Sequence, residues 1–296
     1  MCVTSEPAKL EGTLIGLWDI NHPKYGYQHV LAYQNIPESL SDKPNCMLLH
    51  IPSEGPLLPQ NILDTSGENK DVLKDIIKAL TPLSRGGDRG VAVAAGGNYV
   101  HEMGIYHIAI LNDLGAVQET LLQIPIEKRP SIPPNFVGFY AKNYPNYPLL
   151  LCCFNNRDSA ETSPIMVYYT PQKPNEFRLP NIEGHGELPE LGSFFDGQRT
   201  FMFGSGIAML QDAIPVKGVN EKVSAGLVPF LPMSGFIKKK RGLINLDFMA
   251  QKVAPNQIVC TNWDIDKDSI GKGAFRDSGP YRVNPLGFDD VDEGDF

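Results

Sequence analysis

The sequence predicts an α+β protein that is mostly β: a large antiparallel sheet, curved or barrel-like, with one or two helices. Three observations carry this expectation. Glycine and proline are abundant, at 28 and 25 of 296 residues, and both interrupt regular elements rather than extend helices. Short apolar runs end repeatedly at Gly, Pro, Asn or Asp, the pattern of strands bounded by turns. Only Glu68 to Leu80 keeps a firm helical period.

Taken in order, Leu14 to Ile20 and Gln28 to Tyr33 read as two strands. His22-Pro23-Lys24-Tyr25-Gly26 supplies the turn between them. A third strand, Cys46 to Ile51, stops at Pro52. The helix Glu68 to Leu80 aligns Val72, Leu73, Ile76, Ile77 and Leu80 in one stripe. Thr65 and Glu68 have capping-box spacing, and Thr81-Pro82 closes the helix because proline disfavours a helical residue before it. A Gly/Arg loop, Ser84 to Gly90, leads into the strand-like stretch Val91 to Leu111.

Leu114 to Gln123 reads as a second helix ended by Pro125, although Asn112-Asp113-Leu114-Gly115 also suits a hairpin turn. Short strands follow at Phe136 to Tyr140, Leu149 to Phe154, Ile165 to Tyr169, Ser193 to Phe195 and Arg199 to Phe203. The last two flank Asp196-Gly197, a two-residue hairpin signal. Further strands are expected at Gly226 to Leu231, Phe236 to Ile237, Leu243 to Phe248 and Gln257 to Trp263. No linker or fixed-period repeat divides the chain, so residues 1–272 read as one globular unit. Residues 273–296 read as an acidic, flexible tail, with Asp289, Asp290, Asp292, Glu293 and Asp295 near its end.

Bulk chemistry narrows the partners. Hydrophobic residues at 42% and charged residues at 20% fit a folded core. A net charge of −8 argues against nucleic acid, and Lys238-Lys239-Lys240-Arg241 reads as an exposed turn. No apolar run approaches the roughly 18 residues of a membrane span. The opening MCVTSEPAKLEGT lacks a secretory profile. Five cysteines without CxxC spacing suit reduced thiols in a cytoplasmic protein. On a strand, adjacent Cys152 and Cys153 point to opposite faces.

Candidate chemistry centres on Val91 to Leu111, where His101, Glu102, Met103 and His107 interrupt an apolar run. Buried ionisable groups are costly unless paired, bound or used. One straight strand holds His101 and His107 about 20 Å apart, too far for a shared metal ion; only a turn at Gly104 changes that. His101 is therefore the expected acid/base, with Glu102 or His185 in support. His185 lies in Glu183-Gly184-His185-Gly186-Glu187, whose glycines permit close backbone approach.

Arg85 and Arg89, in a glycine-rich loop, are the expected anion clamp. Tyr140, Tyr144 and Tyr147, within the aromatic segment Asn135 to Pro148, suit a sugar or another flat ligand. Asp264, Asp266 and Asp268 resemble the start of a calcium loop, but Ser269 and Phe275 stand where such a loop needs Gly and Glu.

These residues lead to an expected function: a soluble enzyme using His-centred acid/base or metal-assisted chemistry on a small polar substrate. The alternative is a non-catalytic module that binds a small molecule or carbohydrate and is stabilised by calcium. The cofactor is left open, with calcium and a His-bound transition metal as the candidates, and a small molecule is the expected partner, with no nucleic acid and no membrane.

Overall fold

A computed structural model describes residues 2–80, 100–155, 162–191, 199–205, 214–215, 222–231, 233–234, 236–239, 242–245, 248–253 and 261–266. The first part of the chain forms β1 (Cys2–Thr4), β2 (Ala8–His22), β3 (Gly26–Ser39), β4 (Asn45–His50), β5 (Ile62–Leu63) and α1 (Val72–Leu80). Next come β6 (Val100–Met103), β7 (Tyr106–Leu111), α2 (Val117–Leu121), α3 (Pro134–Asn143), β8 (Leu149–Phe154) and β9 (Ile165–Tyr169). They are followed by β10 (Glu176–Asn181), β11 (Glu183–His185), β12 (Arg199–Ser205), β13 (Ile214–Pro215) and β14 (Met233–Ser234). The last strands are β15 (Phe236–Lys239), β16 (Gly242–Asn245), β17 (Phe248–Val253) and β18 (Thr261–Asp266).

Two six-stranded sheets dominate. The first has strand order β11-β1-β4-β8-β7-β6 and the second β17-β12-β2-β3-β9-β5. Pairings within them are antiparallel except β1 with β11 and β2 with β12. Both orders are linear, so among the described residues neither sheet closes into a barrel. The protein is mostly β with α-helices in support, as expected. Among the described residues no helix is long and apolar enough to cross a membrane.

The sheets stack because their strands are apolar on both faces. Ile15, Leu17, Leu31, Tyr33, Val167 and Tyr169 of the second sheet pack against Met47, Leu49, Ile108, Leu150, Cys152 and Phe154 of the first. Alternate residues turn away, as the two-residue strand period requires. Trp18, Ile20, Val30, Ala32 and Met166 meet α1 and the 223–231 segment on the second sheet's outer face. Cys46, Leu48, Ala109, Leu151 and Cys153 meet α2 and α3 on the first sheet's outer face. The near-continuous run LLLCCF of β8 is thereby explained: both faces are covered. Cys152 and Cys153 face opposite cores, as the strand period predicts.

Several expectations need correction. Phe136 to Tyr140 is helical, not extended, and lies within α3. Phe136, Tyr140 and Tyr144 recur at helical spacing, and Pro134 at the first turn has a preset helical φ. Leu114–Ala116 and α2 satisfy the helix reading of that segment over the hairpin alternative. The expected capping box does not form: Thr65 Oγ1 donates instead to the Pro164 carbonyl, and α1 begins only at Val72. Residues 226–231 contain a short 3-10 turn, Val228–Phe230, rather than a strand. Leu243 to Phe248 is divided between β16 and β17, which pair with different partners. Of Gln257 to Trp263, β18 takes up the stretch from Thr261. The loop 84–90, the Asp196-Gly197 hairpin and the acidic tail lie outside the described residues.

Candidate functional site: an aromatic cleft beside a histidine-bearing sheet

Among the described residues, the expected catalytic partners Glu102 and His185 do not converge. Gly104 adopts φ +58 and turns the chain, so β6 and β7 form a hairpin instead of one strand. Its register pairs His101 with Ile108 and Glu102 with His107. Positions 101 and 107 are therefore not cross-strand partners, even with the turn. The backbone of His101 lies in β6, while its side chain is outside what the structure describes. His107 Nε2 instead sits 3.0 Å from Oε1 of Glu102, and its Nδ1 is buried without a hydrogen-bond partner.

His185 is on β11, at the opposite edge of the same sheet. Five strand spacings, on the order of 24 Å, separate it from Glu102. Its Nε2 lies 2.9 Å from Glu183 Oε1. The approach is short but misdirected, so the buried nitrogen makes no hydrogen bond. Burial lowers the pKa of this imidazole. The flanking glycines serve the fold: a Cβ on Gly186, at φ +82, would come within 2.6 Å of Pro7 N. They let the chain approach itself.

Arg85, Arg89 and Asp268 lie outside the described residues. Asp264 and Asp266 belong to β18, opposite Arg178 and Glu176 of β10, so this part of the acidic segment is a paired strand and not a loop. Among the described residues no group of three or more His, Cys, Asp and Glu side chains could hold a metal ion.

The aromatic segment fares differently. Tyr140 is fully buried and Tyr144 nearly so; both pack into the core beneath α3 rather than face a ligand. Tyr147 is half-buried and borders a shallow cleft of about 210 Å³. Asn112, Asp113 and Leu114 line one wall, with Ala141, Pro145 and Tyr147 on the other. A ring stack holds Tyr147 in place. The buried His50 ring lies 4.2 Å from Tyr144 and 5.7 Å from Tyr147, the latter pair only 13° from parallel. Arg178 donates to the Tyr147 hydroxyl at 2.7 Å.

The opposite wall is equally fixed. Asn112 Nδ2 donates to Leu57 O at 2.9 Å, and its Oδ1 accepts from Leu57 N at 2.8 Å. Asp113 Oδ1 accepts from Gly115 N at 2.8 Å, capping the short turn before α2. The cleft thus sets the Tyr147 ring beside the Asp113 carboxylate, with Asn112 bracing the wall against Leu57, an arrangement suited to a small ligand with one flat face and a hydroxyl or amide donor. Of the residues bordering this cleft, Tyr147 was singled out from the sequence as a candidate, and Asn112, Asp113 and Pro145 were not. The Asn-Asp turn before a helix was the available signal.

No protein-family model and no curated protein matches the chain. Among solved structures, the crystal structure of baculovirus P35 resembles it with a TM-score of 0.42 at 13% identity, covering 91% of this chain and 92% of that one. A mutated baculovirus P35 after caspase cleavage gives 0.38 at 12% identity, covering 86% and 90%. The caspase-8/P35 complex gives 0.37 at 12% identity, covering 88% and 89%.

Proposed function

We propose that this chain is a non-catalytic binding module whose ligand is a carbohydrate or a comparably flat, polar small molecule. The observation that carries the reading is the Tyr147 cleft, an accessible ring held by the His50–Tyr144 stack and by Arg178. A preorganised ring costs little ordering entropy on binding. A cleft of about 210 Å³ is below the usual range for drug-sized ligands and suits a single ring. The test is saturation-transfer NMR with the full-length chain and a panel of monosaccharides and aromatic amides. At least one probe binds, and Tyr147→Ala abolishes its signal; binding that survives this substitution refutes the site.

A His-centred enzyme is the second reading, favoured by the Glu102–His107 pair at 3.0 Å. A carboxylate so placed orients the imidazole, whose other nitrogen is buried and would meet a substrate proton only on local opening. Substrate screening should then find a turnover that His107→Gln removes while the fold survives.

A further inference from the structure

A row of side chains crosses the first sheet on its α2/α3 face. The register pairs Cys46 with Cys153, Cys153 with His107, and His107 with Glu102. Directly opposed residues in antiparallel strands share a face, so four neighbouring strands set two thiols, an imidazole and a carboxylate side by side. None of these pairings was visible from sequence spacing.

The thiols are close. Cys153 Sγ lies 3.5 Å from Cys46 Sγ, and both side chains are fully buried and reduced. Cys46 N–H points away from β8, donating to Ser5 Oγ at 3.1 Å, and Cys46 O accepts from Ser5 N. Cys46 and Cys153 are therefore a non-hydrogen-bonded cross-strand pair, the kind whose Cα atoms approach to about 4.5 Å. That separation falls within the range a disulfide spans. Beyond Cys153, His107 keeps Nδ1 buried and unpartnered while Glu102 engages Nε2. His107 is the cross-strand neighbour of Cys153, whose Sγ contacts Cys46 Sγ and the Leu151 carbonyl and not the ring; a rotation of that thiol toward the imidazole would set up the pairing that activates sulfur.

We propose that Cys46 and Cys153 form a two-electron redox site, with Cys153 the attacking sulfur, His107 its base, Glu102 the residue positioning His107, and Cys46 the resolving thiol. The oxidant is a peroxide. Once rotated toward the ring, Cys153 gives its proton to His107 Nδ1, and the thiolate attacks one peroxide oxygen. The O–O bond breaks, water leaves, and Cys153 becomes a sulfenic acid. Cys46 then attacks that sulfur and expels a second water. Overall, two thiols and one hydrogen peroxide yield one disulfide and two waters. Both thiols are fully buried in the cluster that α2 and α3 share with the sheet, so reaction follows local opening of that layer. The bond joins positions 107 residues apart and ties β4 to β8.

The test treats the native full-length protein with hydrogen peroxide and maps the product by mass spectrometry. A loss of about 2 Da with a Cys46–Cys153 bridge is expected, and Cys152→Ala should retain it. Cys46→Ser should stall at the sulfenic acid, trapped by dimedone on Cys153. His107→Gln should slow bridging about tenfold or more. Folding of each variant is checked by far-UV circular dichroism, and Glu102→Gln gives a milder slowing in a residue that is exposed and tolerant of change. A bridge through Cys2, Cys152 or Cys260 overturns the assignment, as does no bridge in the native protein. Equal rates in wild type, His107→Gln and Glu102→Gln overturn the role of the imidazole.

Discussion

Acidification should unfold this protein through His29. Its ring is 1% exposed and sits among the rings of Tyr27, Tyr169 and Phe177, at 5.6, 5.8 and 5.0 Å between centroids. Tyr27 Oη lies 3.1 Å from Nε2. Burial, only partly opposed by the nearby Asp19 carboxylate, pushes the imidazole down to about 4 from an ordinary 6.5. The unfolded chain therefore binds this proton more readily than the folded one. The His29 contribution is fully present above about pH 6.5 and is lost as pH falls toward 4.

At about 1.4 kcal/mol per pH unit, the whole shift is worth roughly 3 kcal/mol, a large share of a typical domain's stability. Urea unfolding of wild type and His29→Gln between pH 7 and pH 4 measures it. Carboxylates and the other histidines titrate in both proteins, so the difference isolates position 29. The wild type should lose about 3 kcal/mol more than the variant across that interval. Parallel stability curves would refute the reasoning, because they would mean that His29 accepts its proton in the folded state.

Three further outcomes follow from packing and hydrogen bonding. Tyr169 is 1% exposed and its buried hydroxyl has no hydrogen-bond partner, so Tyr169→Phe should raise stability by about 1 kcal/mol in chemical denaturation. A loss would show that the hydroxyl is satisfied. Gly184→Ala would place a Cβ 2.3 Å from Glu187 O and should destabilise by about 2–3 kcal/mol, read as a lower denaturation midpoint. Asn45, fully buried, accepts from Glu6 N at 3.0 Å and Cys46 N at 2.8 Å while donating to Glu6 O. Asn45→Ala strands those groups and should cost about 2–3 kcal/mol; a neutral variant would contradict the network.

Strands β2, β3, β4, β8 and β9 were legible because local pattern decided them. The alternation through Leu14 to Ile20 places Ile15 and Leu17 in one core and Trp18 and Ile20 in another. LLLCCF was readable as a strand for the same reason, although its double burial was not. The segment Phe136 to Tyr140 misled because aromatic density favours strands, while the deciding contacts come from the sheet beneath α3. β10 and β11 went unseen. β10 contains Pro180, and β11 is three residues of Glu, Gly and His, so neither carries an alternating signature.

The candidate site was less legible for a geometric reason. Tyr147 stands out in the sequence, but Asn112 and Asp113 join it only because α3 lies across the first sheet. The Cys46–Cys153–His107–Glu102 row depends wholly on register, which unites positions far apart in the chain. His101, prominent for its apolar surroundings, pairs with Ile108 instead of an acidic partner.

The most direct test of the binding reading is ligand titration of wild type and Tyr147→Ala side by side, with the best probe from the monosaccharide and aromatic-amide panel. Saturable binding by the wild type, lost in a Tyr147→Ala protein of unchanged fold, is the predicted result. Equal affinity in the two proteins, or no binding of any probe by the wild type, would contradict it.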